Sequence, residues 1–280
     1  MKGEPSVLRN SGKAELSERW ERNLEVVNEC MAAASSVFES TIRTKGFDDT
    51  VRDRGFLTEV WSHGEKREAL AEVLFGLRPE KNIGALQATI NGKRILVVGG
   101  GASMDDLLSD NRFAPALLLN VDPFLVEEKP ARGAAGYYRS LPLDAASADF
   151  LQALQAGGHD TFDEIWATWS VPHYCKTPDE VARYFANMFK ALEPGGTLRI
   201  CPVTFVVDPM PPIVRTAVVA ELASALSASL RTLAQMPNVE MSRHDNTLPD
   251  GRILPELSTL IIHKTAFGND RHLDKAGAGV

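Results

Sequence analysis

From residue 94 onward the chain alternates between short, continuously apolar runs and stretches whose apolar residues recur every three or four positions. The runs are Ile95–Val98, Ala116–Val121, Gly136–Leu143, Glu164–Trp169 and Thr197–Val203, with two more at Val239–His244 and Ser258–Lys264. An apolar run without a polar alternate is the mark of a strand buried on both faces, and strands alternating with helices imply crossovers. The pattern predicts an α/β fold with a doubly wound, mostly parallel sheet of seven strands.

The first 90 residues carry only the helical period. Trp20, Leu24, Val27 and Met31 form one stripe of a helix over about Lys13 to Arg43, and further helical stretches are expected at Glu65 to Leu77 and just before Asn91. Later in the chain, Thr177-Pro178-Asp179-Glu180 offers a capping hydroxyl, a first-turn proline and a glutamate at the third helical position. Val181, Tyr184, Phe185, Met188 and Leu192 then form the buried stripe, and Pro194-Gly195-Gly196 ends the helix. A long helix is predicted from Pro211-Pro212 to about Gln235, with Val214, Val218, Leu222, Leu226 and Leu230 as its stripe. These elements divide the chain into a helical cap or lid region (1–90), a sheet domain (91–267) and a tail (268–280) whose Gly, Ala and charge favour fraying.

Composition narrows the function classes. With 280 residues and 44% hydrophobic content the chain can bury a sizeable core. Its net charge of −7, with scattered basic residues, offers nucleic acid no cationic face. The N-terminal stretch lacks the apolar core of a signal peptide. The longest apolar candidate, IVRTAVVAELASALSASL, is interrupted by Arg215 and Glu221, so no membrane span is expected. Cys30, Cys175 and Cys201 are odd in number and far apart, which fits neither a disulfide framework nor a zinc site and points to reducing cytoplasm.

The first apolar run ends on Gly99-Gly100-Gly101 and restarts as a helix. Such a junction aims free backbone N–H groups and a positive dipole end at whatever sits over the carboxyl edge of the sheet. A flexible turn has the same look, and Ser103 with Asp106 also reads as an ordinary helix cap. The second run tilts the balance. It ends on Asp122-Pro123, at roughly the interval of 20 residues at which a doubly wound sheet presents an acid to a ribose.

In this order, "ILVVGGGAS", "LLLNVD", "YYRSLPLDA", "FDEIWATWSVPHY" and "MFKALEPGGTLRICPV" resemble the class I S-adenosylmethionine-dependent methyltransferases, over about Arg94 to Lys264. The resemblance implies a Rossmann-like sheet and S-adenosyl-L-methionine as cofactor. It implies that Gly99 and Gly101 lie under the methionine portion, Asp122 at the ribose and Asp144, or its rival Asp149, at the adenine, with Gly100, Ser103 and Pro123 also among the cofactor-binding residues. Thr168, Trp169 and Ser170 would form the wall near the sulfonium. Two departures stand out: the acid that commonly precedes the first glycine by two positions is Val97 here, and the third glycine is Ser103. The LVVGGG form is also similar to aminopropyltransferases related to spermidine synthase, and a binding protein that keeps the sheet without turnover is a third reading.

Methyl transfer from a sulfonium is an in-line displacement that needs alignment and exclusion of water more than a fixed catalytic motif. The expected acceptor is a small molecule with an oxygen or nitrogen nucleophile. His173 is the candidate base and Tyr174 a candidate orienting residue, each with an ordinary surface or packing alternative. Trp166 and Trp169 either form an aromatic wall or pack against helices. Cys175 is given no role, and Asp105-Asp106 is explained by the helix dipole without a metal. Trp20, Phe47, Phe56 and Trp61 are available for a lid, while a remote packed layer or a homodimer interface would use the same helices.

Overall fold

The computed structural model describes residues 7–43, 74–76, 79–99, 113–123, 129–132, 138–168, 170, 172, 174–203, 212–247 and 253–266. In chain order these form α1 (Val7–Arg43), α2 (Pro79–Ile90), β1 (Arg94–Val98), β2 (Leu117–Val121), β3 (Lys129–Arg132) and β4 (Tyr138–Leu141). They continue as α3 (Phe150–Ala156), β5 (Phe162–Thr168), α4 (Pro178–Ala191), β6 (Leu192–Cys201), α5 (Pro212–Ala234), β7 (Val239–Thr247) and β8 (Ile253–Lys264).

All strands join one sheet in the order β3-β4-β2-β1-β5-β6-β8-β7. The pairs β4-β2, β2-β1, β1-β5 and β5-β6 are parallel, whereas β3-β4, β6-β8 and β7-β8 are antiparallel. Only β3 and β8 therefore run against the rest. The seven expected strands are present, but among the described residues the sheet has eight: β3 was not foreseen. Its sequence, KPAR, has no apolar alternation, and its proline is tolerated because the strand pairs only at the sheet's edge.

One face of the sheet carries the main core. Leu96, Val98, Leu119, Val121, Ile165 and Ala167 point into it, met by buried residues of α1, α3, α4 and α5. On the opposite face Ile95, Val97, Leu118 and Trp166 pack with Leu74, Phe75, Phe113 and Ile90. Strict alternation along each strand divides the two clusters, as a pleated sheet covered on both sides requires.

The helix α4 begins as its sequence dictates. Glu180 N–H donates to Thr177 Oγ1 at 3.3 Å, while the Glu180 carboxylate reaches back to the N–H of Lys176 at 2.6 Å, one residue before the cap. Its end differs from expectation, because β6 starts at Leu192 with no intervening loop. Lys264 of β8 supplies the missing partners there: its Nζ donates to Phe189 O at 3.0 Å and Leu192 O at 2.5 Å. Gly196 is needed for close approach, since a Cβ would lie 2.9 Å from Leu192 Cδ1 and 3.0 Å from Asp163 O.

In α1 the buried stripe is Asn23, Val27, Cys30 and Ala34, rotated in part from the expected one: of that, Val27 is buried, Leu24 and Met31 pack partly buried against the core, and Trp20 is exposed. A polar residue leads it because Asn23 closes a gap between α5 and β7. Its Nδ2 donates to Ala234 O (3.1 Å) and Val239 O (2.9 Å), and its Oδ1 accepts from Met241 N–H (2.8 Å). The segment Thr216–Ala234 of α5 is, by length and composition, apolar enough to cross a membrane, contrary to expectation. Val219, Leu222, Leu226, Leu230 and Leu233 bury one side of it in the main core. Ile213 and Val214, in its first turn, are exposed.

Candidate functional site

The carboxyl ends of β1, β2, β4, β5 and β6 share one edge of the sheet, the edge at which doubly wound sheets place their ligands. The ladder continues one residue past two of these strands. Gly99 N–H donates to Val121 O at 2.7 Å, and Asp122 N–H to Leu141 O at 3.2 Å. Because Val98 pairs with both Val121 and Ala167, the next row brings Gly99 between Asp122 and Thr168. Neighbouring strands lie about 4.8 Å apart, so Asp122 and Thr168 stand about 10 Å apart with Gly99 between them.

Gly99 has φ +71°, and a Cβ there would fall 2.2 Å from Cβ of Ser170. Both features demand glycine: the backbone is left-handed, and the space is already filled by the chain leaving β5. The N–H of Tyr174 donates to Ser170 O (3.1 Å), and that of Cys175 to Pro172 O (3.0 Å), which turns this segment back toward α4. The hydroxyls of Thr168 and Ser170 are buried and meet no hydrogen-bond partner among the described residues. An unsatisfied buried hydroxyl costs about 1–3 kcal/mol, a cost carried here at two positions around the end of β5.

Asp122 is buried at the end of β2, beside Gly99. Asp144 is exposed in the turn after β4, and its Oδ1 accepts from Ala146 N–H at 2.8 Å. The turn is clamped from below by α4: Asn187 Nδ2 donates to Ala145 O (3.0 Å) and Ser147 O (2.9 Å), and Arg183 Nε to Ala146 O (3.0 Å). Asp149 sits farther on, at the start of α3, without a side-chain capping bond. Pro123 is exposed at the same edge, and so is Tyr174. Gly99, Asp122, Asp144, Thr168 and Ser170 are thus brought to one edge; Gly100, Gly101, Ser103, Trp169 and His173 lie outside the described residues, as do Asp105, Asp106, Phe47, Phe56 and Trp61.

Trp166 takes the packing alternative. Its ring meets Phe75 edge-on at 5.4 Å, and its indole N–H donates to Glu164 at 3.2 Å. Glu164 also pairs with Arg199 at 3.1 Å, and the Arg199 guanidinium lies 4.7 Å from the Phe75 ring centre. Burial pushes the Glu164 carboxyl above its usual range, against the pull of Arg199. Val97 is buried between Asn120 and Trp166 in register and presents no polar atom to the edge. Asn120 in turn donates to Ser140 at 3.3 Å, a buried polar pair beneath the site that only the lone Asn in "LLLNV" hinted at. Cys175 is buried, and burial pushes its thiol up to about 12, which leaves it without thiolate character at neutral pH. Trp20 lies on α1, which packs on α5, β7 and β8 at the far end of the sheet from Gly99.

No family model matches the chain, and no curated protein does. Among solved structures, the chain is similar to the O-methyltransferase TomG of Streptomyces achromogenes in complex with SAM, at 17% identity over 76% of this chain and 96% of that one, TM-score 0.43. It is similar to the O-methyltransferase of Bacillus cereus in complex with SAH, at 14% identity over 75% and 96%, TM-score 0.40. It is likewise similar to the N-methyltransferase NodS of Bradyrhizobium japonicum in complex with S-adenosyl-L-homocysteine, at 15% identity over 82% and 96%, TM-score 0.40.

Proposed function

We propose that this chain is an S-adenosylmethionine-dependent methyltransferase that transfers a methyl group to an oxygen or nitrogen of a small-molecule acceptor. The observation that carries the reading is the Gly99–Asp122 pair, set in adjacent register at the ligand edge of a sheet whose sixth place is taken by an antiparallel strand. A dinucleotide-binding sheet keeps six parallel strands in the order 3-2-1-4-5-6. Here the equivalent order runs β4-β2-β1-β5-β6 and then reverses at β8, which favours the methyltransferase reading over the dinucleotide one.

The residues at the edge fit the cofactor. Asp122 would accept the hydroxyl hydrogens of the ribose, Gly99 lets the chain leaving β5 close against β1 at this edge, and the clamped turn at Asp144 would give the base a fixed rim. When bound, the cofactor supplies a methyl group already activated on a sulfonium. The chain's own part is to hold donor and acceptor in line and to exclude water. The three buried free thiols fit a reducing cytoplasm. Val97, which offers the cofactor's ammonium no acid, keeps the non-catalytic binding protein as a second reading.

Calorimetric titration with S-adenosylmethionine, S-adenosylhomocysteine and the decarboxylated cofactor separates methyl transfer from aminopropyl transfer, and turnover of S-adenosylmethionine to S-adenosylhomocysteine with an acceptor separates the enzyme from the binding protein. Binding of the first two is expected; preference for the decarboxylated form would favour aminopropyl transfer, and no binding of any would end both enzyme readings. Asp122→Ala is expected to weaken S-adenosylhomocysteine by about 1.5–3 kcal/mol for each charge-assisted hydrogen bond lost, before water compensates. An unchanged dissociation constant in a folded variant removes Asp122 from the site.

A further inference from the structure

The carbonyls of Ala145, Ala146 and Ser147, consecutive along the chain, are all held by one helix. Asn187 of α4 donates from Nδ2 to Ala145 O (3.0 Å) and to Ser147 O (2.9 Å), and Arg183, one turn earlier, donates from Nε to Ala146 O (3.0 Å). Asn187 is buried in the stripe that also carries Tyr184, Met188 and Ala191. An amide in that place costs free energy unless its polar atoms are bonded, so the turn it holds, not the apolar core, accounts for it. The turn in question carries Asp144. Ala146 N–H donates to Asp144 Oδ1 at 2.8 Å, and Ser147 N–H to Asp144 O at 3.0 Å. Ala146 therefore stands between helix and carboxylate: its C=O is bonded from α4, and its N–H holds one oxygen of Asp144. Asp149, at the start of α3, makes no side-chain capping bond.

We infer that Asn187 and Arg183 are positioning residues for the nucleoside end of the ligand: they set the place of turn 145–147 and, through Ala146, the orientation of the Asp144 carboxylate that accepts the adenine amino group. The inference rests on the methyltransferase reading, in which the turn after β4 meets the base. The physics is preorganisation. An exposed aspartate that must be ordered when the ligand arrives spends rotamer and backbone freedom on binding, whereas one already fixed through its own turn does not. Asp144 is exposed, yet its carboxylate is fixed by one oxygen, which commits the other to whatever donor sits on the rim. Selectivity for the base then depends on α4, although neither Asn187 nor Arg183 touches the ligand.

The test compares S-adenosylhomocysteine with S-inosylhomocysteine, which carries a carbonyl oxygen in place of the adenine amino group, by calorimetry on the full chain. A carboxylate at the rim accepts from the amino group and repels the carbonyl, so the parent is expected to prefer the adenosyl ligand at least about tenfold. Asn187→Leu should bring that ratio to within about threefold of unity with the S-inosylhomocysteine constant unchanged within about twofold. Arg183→Met, at a partly buried side chain, should lower the ratio about two- to threefold and keeps the test open if Asn187→Leu does not fold. Asp144→Ala should abolish the preference, Asp149→Ala should keep it, and adding Asn187→Leu to Asp144→Ala should change the ratio by less than about twofold, since the helix acts through that carboxylate. A merely structural role would weaken both ligands alike. The inference is overturned if the parent shows no preference, if the ratio is unchanged in folded Asn187→Leu or Arg183→Met, or if Asp149→Ala and not Asp144→Ala removes it. Failure of the parent to bind S-adenosylhomocysteine is a distinct result that strikes the methyltransferase reading itself.

Discussion

Gly99→Ala tests how the ligand edge is built. The added methyl carbon would lie 2.2 Å from Ser170 Cβ, 3.1 Å from its Oγ and 3.3 Å from its Cα. Non-bonded carbons rest at about 3.5–4.0 Å, so the two chains must part by more than about 1 Å. Forcing a methyl group into filled space costs about 1–3 kcal/mol, and holding alanine at φ +71° adds about 1–2 kcal/mol. The expected loss is therefore about 2–5 kcal/mol, read from the urea midpoint at unchanged slope. Ser170→Gly in the same background removes the colliding carbon but not the backbone strain, so it should restore about 1–3 kcal/mol. Wild-type stability of Gly99→Ala would refute the close approach. A full loss that Ser170→Gly leaves untouched would show that the strain is in the backbone alone.

Three more measurements probe the scaffold. Asn23→Ala breaks the three bonds that tie α1 to the end of α5 and to β7 and is expected to cost about 2–4 kcal/mol, against less than about 1 kcal/mol for Trp20→Ala; equal losses would return the packing stripe to Trp20. In a double-mutant cycle, Arg199→Met should destabilise more than the Glu164→Gln, Arg199→Met pair, because it alone strands a buried carboxylate; additive losses would deny the coupling. Cys30, Cys175 and Cys201, each pushed up to about 12 by burial, should resist a disulfide reagent at pH 8 until urea unfolds the chain, and one rapid stoichiometric reaction in the native protein would contradict that burial.

The sheet was legible in the sequence because buried parallel strands leave a signature that needs no partner to be read: an unbroken apolar run between turns. So was α4, whose cap, proline and stripe are local. The rotated stripe of α1 was not, because hydrophobic spacing counts Asn23 as polar and only the loose backbone ends of α5 and β7 make it an interior residue. β3 escaped for a related reason: an edge strand forms on its neighbour's unpaired groups and needs no pattern of its own.

At the site the division is the same. Sequence alone set the glycines, the acid after β2 and their order, since a turn and a strand end are matters of a few neighbouring residues. It could not say that Gly99 must be glycine because Ser170, distant along the chain, already fills the space, nor that the hydroxyls of Thr168 and Ser170 are buried without partners. Both follow from parallel register, which sets β5 beside β1 at a fixed height, and register is decided only when the two faces of the sheet are covered.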